Sequence, residues 1–163
     1  VHHAALQLLN IMFSVPQISV RLAELPTDHR QMLAFLLGFF VRHRTLLVKS
    51  DLHPCAPDHN YPLVYAEAEG ERIAVLYCGG ITAELCFTPD IQTLYLVNAT
   101  ERDCVFADLS LVSGSTALLR DCCGEPLPFE LPRAGLSKLK MPPGSILRLR
   151  APAAAAPKKG VLS

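Results

Sequence analysis

The sequence predicts a mixed fold, an N-terminal α/β unit of helix, strand and helix followed by an antiparallel β-sandwich. Three observations predict it. Residues 2–14 and 27–48 carry apolar side chains at helical spacing around one short β-branched run. From Tyr61 onward the apolar runs shorten to strand length. Glycine-, proline- and aspartate-containing turns separate those runs at near-regular intervals, the pattern of a sandwich or barrel.

The first helix spans residues 2–14, with His3, Gln7, Asn10 and Ser14 on a polar stripe and Ala4, Ala5, Leu8, Leu9, Ile11 and Met12 on a broad apolar face. Pro16 ends it, because the proline ring breaks the hydrogen-bond ladder. Gln17–Leu22 reads as a strand, with Ile18 and Val20 on one side and Ser19 and Arg21 on the other. After the turn at Pro26, Thr27 is the expected N-cap and Asp28 complements the helix dipole in the first turn. The second helix runs to about Val48 and is apolar on nearly every side from Met32 to Val41, so it needs cover on most of its circumference. Helix, strand and helix in this order form a piece of a parallel α/β layer. Residues 49–62 hold three prolines without an apolar period, and 49–60 read as a linker between two domains, 1–48 and 61–150. Strand-like runs with turn chemistry between them predict about seven or eight strands in the second domain. The alanine- and proline-rich tail, residues 151–163, reads as flexible.

Composition narrows the function classes. Half of the residues are hydrophobic, and fifteen Lys and Arg balance fifteen Asp and Glu. A neutral chain has no basic excess with which to neutralise phosphates, so nucleic acid is not an expected partner. Met32–Val41 is ten residues long where a membrane span needs about twenty, so no membrane partner is expected either. Residues 1–10 carry neither a charged leader nor a small-residue cleavage site, which places the chain in the cytoplasm. In that reducing compartment Cys55, Cys78, Cys86, Cys104, Cys122 and Cys123 read as free thiols, and only the vicinal pair Cys122 and Cys123 merits a redox test.

The stretch "HAALQLLNIMFSVPQISVRLAELPTDHRQMLAFLLGFFVRHRTLL", followed by "NYPLVYAEAEGERIAVLY", resembles the C-terminal part of α-galactosidase-type glycosidases of glycoside hydrolase family 36 and their relatives. "SVPQISVRL" with "LPTDHRQML" is the most specific part of the likeness. The resemblance implies that residues 1–48 are the last helix, strand and helix of a (β/α)8 barrel and that residues 61–150 are the sandwich following it. It further implies a retaining enzyme acting on terminal α-galactosides through two carboxylates about 5 Å apart. Those carboxylates lie on earlier barrel strands, so no catalytic residue is assigned here. Glu24, Asp28, Asp51 and Asp58 fall on a turn, a helix start and the linker, where exposed carboxylates are ordinary.

Barrel active sites gather at the C-terminal ends of strands. By that rule Arg21 is the candidate to line a substrate pocket, with Ser19 on the same face pointing into the barrel; the competing role for Arg21 is a salt bridge to Glu24 or Asp28. "DLHPCAPDH" gathers Asp51, His53, Cys55, Asp58 and His59, all zinc-ligand types, but no compact ligand spacing is present and the prolines restrict convergence, so no metal is expected. No phosphate loop, dinucleotide fingerprint or nucleophile elbow appears, so no cofactor is expected. "CGGIT" is a Gly-Gly turn. With no tryptophan, and with Tyr61, Tyr65, Tyr77 and Tyr95 reading as strand packing, the sandwich is expected to be a structural cap rather than a sugar-binding module.

Three arrangements accommodate these readings: an inert C-terminal piece of a glycosidase, a self-standing β-sandwich carbohydrate-binding or structural module with a helical arm, and a subunit completing a split barrel. A lone strand beside an all-round apolar helix cannot bury itself. The expected partners are therefore the missing barrel portion or a second copy through helix 27–48, unless the helices dock onto the sandwich.

Overall fold

"RIAVL" and "TLYLVN" are apolar without alternation, the mark of strands covered on both faces. In the computed structural model, which describes residues 1–110 and 113–152, these runs are the central strands of the fold. Its helices are α1 (His2–Leu9), α2 (Thr27–Arg42) and α3 (Arg44–Lys49). The strands are β1 (Leu52–Cys55), β2 (Leu63–Ala68), β3 (Glu71–Leu76), β4 (Thr82–Cys86), β5 (Thr93–Asn98), β6 (Cys104–Ser110), β7 (Thr116–Arg120), β8 (Pro126–Leu127), β9 (Gly135–Lys140) and β10 (Ile146–Arg150). Seven form one sheet in the order β1-β2-β3-β5-β10-β7-β8, and three form a second in the order β4-β6-β9. Pairing is antiparallel except between β3 and β5 and between β4 and β6.

Side chains alternate across the large sheet and feed two cores. Ala74, Leu76, Leu94, Leu96, Leu119, Leu147 and Leu149 face Ala83, Leu85, Val105, Ala107, Leu109 and Leu139 of the small sheet. Ile73, Val75, Tyr95, Val97 and Ile146 face the helices instead. There α1 presents Ala5 and Leu9, and α2 presents Met32, Leu36, Phe39 and Phe40 at the spacing of one helical stripe. The result is three layers: helices, large sheet, small sheet. Close approach at the α1 edge requires Gly144, whose φ is +80° and where a Cβ would stand 2.8 Å from Cβ of Cys122 and 3.2 Å from Cβ of Ala5.

The sandwich character expected from the turns is present, as a mostly antiparallel pair of sheets. Several boundaries differ. Residues 15–21 belong to no helix or sheet, and Leu22–Glu24 forms a single 3-10 turn, so the strand expected at Gln17–Leu22 is not formed. β-Branched residues favour extended backbone, but a strand exists only with a partner for its ladder, and none lies beside this run. The expected linker, residues 49–60, instead contributes β1, which pairs antiparallel with β2 from Leu52↔Ala66 to Cys55↔Leu63. Pro54 is tolerated there because β1 is the sheet edge and needs no outward donor. The second helix stops at Arg42 rather than running to Val48, because His43 adopts φ −106° and ψ 18° before α3 begins. Pro26, not Thr27, occupies the N-cap. The expected flexible tail lies, from residue 153, outside the described residues.

Asn98 ties the two sheets together. It is fully buried at the end of β5, its amide nitrogen donates to the carbonyls of Arg102 at 2.8 Å and Met141 at 2.7 Å, and its side-chain oxygen accepts from the backbone and hydroxyl of Thr100. Every side-chain hydrogen-bonding position is thus used, which a buried amide requires. Replacing Asn98 with Ala leaves several buried groups unpaired and is expected to lower stability by roughly 3 kcal/mol, read as a reduced urea midpoint. Leu36→Ala, which hollows the contact between helix and sheet, is expected to cost about 2–5 kcal/mol in the same measurement.

Candidate functional site

The loop Cys78–Ile81, between β3 and β4, is the meeting point of three cavities. One, of about 430 Å³, is lined by Gly79, Gly80, Glu101, Arg102, Asp103 and Phe106 among others. A second, of about 760 Å³, opens beside α1 and takes in His3, Gln7, Asn10, Tyr77 and Cys78. A third, of about 410 Å³, adds Asp58, His59 and Asn60. Polar groups therefore converge at one end of the sandwich.

Local structure fixes the backbone that carries them. Tyr77 donates its backbone N–H to Pro62 at 2.8 Å, and Ala99 donates to Leu76 at 2.9 Å, fixing the ends of both loops. Beneath them the Asn98 network holds residues 100 and 102, and Met141 donates to Asp103 at 2.9 Å. The Arg102 side chain lies over Gly79, where a Cβ would stand 2.3 Å from its Nε and displace it. Across the loop, Asn60 and Tyr61 both adopt left-handed backbone with φ of 59° and 52°, a conformation that costs energy for residues with a Cβ and clusters at functional sites.

The charged groups at the 430 Å³ cavity are Glu101, Arg102, Asp103 and Lys138, a formal sum of zero. Among the described residues none of these four side chains enters an ion pair or side-chain hydrogen bond. Such a site can grip a ligand through donors and acceptors together.

The residues singled out by sequence fall elsewhere or only partly here. Arg21 pairs with Glu24 at 3.0 Å, with side chains 84% and 67% exposed, and Ser19 is exposed on the same unpaired segment. The expected cluster of ligand types is divided by β1. His53 stacks on Tyr65 at 4.8 Å, and Cys55 lines a separate cleft with Arg72 and Cys86, whereas Asp58 and His59 join the loop end. No group of three or more such residues is placed to hold a metal among the described residues. Cys122 is buried 3.7 Å from Nδ1 of His2, and burial pushes its thiol up to about 12; burial raises Cys123 as well, so neither is an activated thiolate. Phe106 and Arg102 were not legible as site residues, although strict alternation in "CVFADLS" turns Phe106 outward beside Asp108.

Under the helices a second ionisable centre lies out of solvent. His43 donates from Nδ1 to Glu71 at 3.0 Å, and its Nε2 has no partner among the described residues. Phe39 and Tyr95 pack against its ring at 4.5 and 4.8 Å. Desolvation lowers the imidazole pKa, Glu71 opposes that, and Arg42 adds to it.

Comparison of the chain with protein-family models, with curated proteins and with solved structures finds no match.

With the folded pKa of His43 below the ordinary imidazole value, the unfolded chain binds more protons between the two. The stability that His43 supports is full above the ordinary value and falls as pH drops through it toward the folded value. Urea midpoints across that range are expected to decline on acidification, and His43→Phe is expected to flatten the decline.

Proposed function

We propose that this chain is the C-terminal portion of an α-galactosidase-like glycosidase, whose catalytic carboxylates stand on barrel strands outside it and whose sandwich braces the barrel. The observation that carries this reading is the uncovered segment between α1 and α2. Val15, Ile18, Val20 and Leu22 are 56%, 38%, 48% and 61% exposed, on backbone that Arg21 leaves in an extended conformation without a ladder partner. An apolar, β-branched run with free backbone donors and acceptors is what a barrel stave presents before its neighbours pair with it. Likeness of "SVPQISVRL" and "LPTDHRQML" to the closing section of family 36 enzymes supports the same placement. In that setting Arg21 and Ser19 line the sugar pocket, Arg21 exchanging its exposed pair with Glu24 for sugar hydroxyls or a catalytic carboxylate. A cytoplasmic setting accords with six free thiols. Among the described residues no helix is long and apolar enough to cross a membrane.

One observation favours a self-standing sandwich module instead. The apolar stripe of α2 is already covered, since Met32, Leu36, Phe39 and Phe40 are buried against the large sheet. The two readings part at the 15–22 segment. If it awaits barrel strands, the isolated chain binds an apolar-surface dye and self-associates in light scattering, and Ile18→Glu with Val20→Glu suppresses both. A clean monomer that binds no dye favours the self-standing module. Alone, the chain is expected to leave an aryl α-galactoside intact; turnover abolished by mutating one of its own carboxylates would overturn the proposal.

A further inference from the structure

The geometry points to a saccharide subsite at the 430 Å³ cavity, in which a neutral pyranose unit sits on Phe106 and is gripped by Glu101, Arg102, Asp103 and Lys138. This inference stands apart from the glycosidase reading, because it draws only on the sandwich. Phe106 lies on β6, the middle strand of the small sheet, between Thr82 and Lys138 in register, and is 44% exposed on the outer face. Single exposed apolar residues are ordinary on protein surfaces. What sets this one apart is its place in a cavity of ligand size, beside four ionised side chains that have no partner among the described residues.

The chemistry selects the ligand class. An aromatic face offers apolar contact and a negative quadrupole to the C–H face of a sugar ring. Two carboxylates accept from hydroxyls while a guanidinium and an ammonium donate to them, and hydrogen bonds with one charged partner are the stronger kind. With two charges of each sign, the cavity has no net charge to favour an ion of either sign, whereas a polyol uses both signs at once. The exposed backbone of Gly79 and Gly80 permits close approach, and the Asn98 network holds the backbone of the Arg102 loop, so ordering on binding falls on the charged side chains alone.

The test is titration of the full chain, followed by amide NMR, with methyl α-galactoside, maltose and, separately, inorganic phosphate. Saturable shifts of Gly79, Gly80, Cys104 and Phe106 with at least one sugar are expected. Phe106→Ala should weaken that binding about tenfold, ~1.4 kcal/mol, and Arg102→Ala should weaken it too. Arg102 is exposed and Phe106 is 44% exposed, so urea midpoints should fall by less than in Leu36→Ala and leave both variants folded, which separates lost binding from lost folding. The inference is overturned if neither sugar shifts these amides, if the shifts persist unchanged in Phe106→Ala, or if phosphate alone produces them.

Discussion

Burial of β3 and β5 on both faces is the constraint from which the architecture follows. These two strands are parallel neighbours at the centre of the large sheet, and their side chains are apolar in both directions. Water must be excluded from each face, so each face needs its own cover. The small sheet supplies one cover, with Ala83, Leu85, Val105, Ala107, Leu109 and Leu139. The helices supply the other, and their apolar stripe is satisfied by the same contact. The helices therefore pack directly on the large sheet, through a core that lies back to back with the one between the sheets.

Polar groups inside this arrangement have two different fates. Asn98 is buried with every hydrogen-bonding position used, so it fixes the spacing of the sheets and the course of the 98–103 loop. His43 is buried with one ring nitrogen engaged by Glu71 and the other unpartnered among the described residues. A half-satisfied group of that kind is a weak point whose cost depends on protonation. It also marks where α2 gives way to α3, its backbone standing at φ −106° and ψ 18°.

Function gathers where the fold leaves something unsatisfied. At one end, beside the Cys78–Ile81 loop, the 99–103 loop and Lys138 of β9 present charges that find no partner among the described residues. Between α1 and α2 an extended apolar segment has no ladder. The first is chemistry for a small polar ligand, and the second is chemistry for more protein. They are separate features, on different elements of the fold.

Much of the secondary structure was legible in local pattern. The apolar run from Met32 to Val41 marked a helix, although it promised cover on nearly every side where the buried residues, Met32, Leu36, Phe39 and Phe40, form one stripe and Val41 is exposed, and short apolar runs between turn residues marked the sandwich. Where a boundary depended on a distant partner, local pattern failed. Gln17–Leu22 has the composition of a strand but no neighbour, and Leu52–Cys55 has the look of a linker yet finds β2. The loop-end site was hidden for the same reason, since Gly79, Arg102, Phe106 and Lys138 approach only after strands from two sheets have paired. Sequence by itself determined which segments are helical or extended and which faces shun water, because those are nearest-neighbour and periodicity effects. Tertiary structure alone decided what covers each face and which charges stand together, because a hydrogen-bond ladder and a cavity are properties of chains brought close, whatever their separation along the sequence.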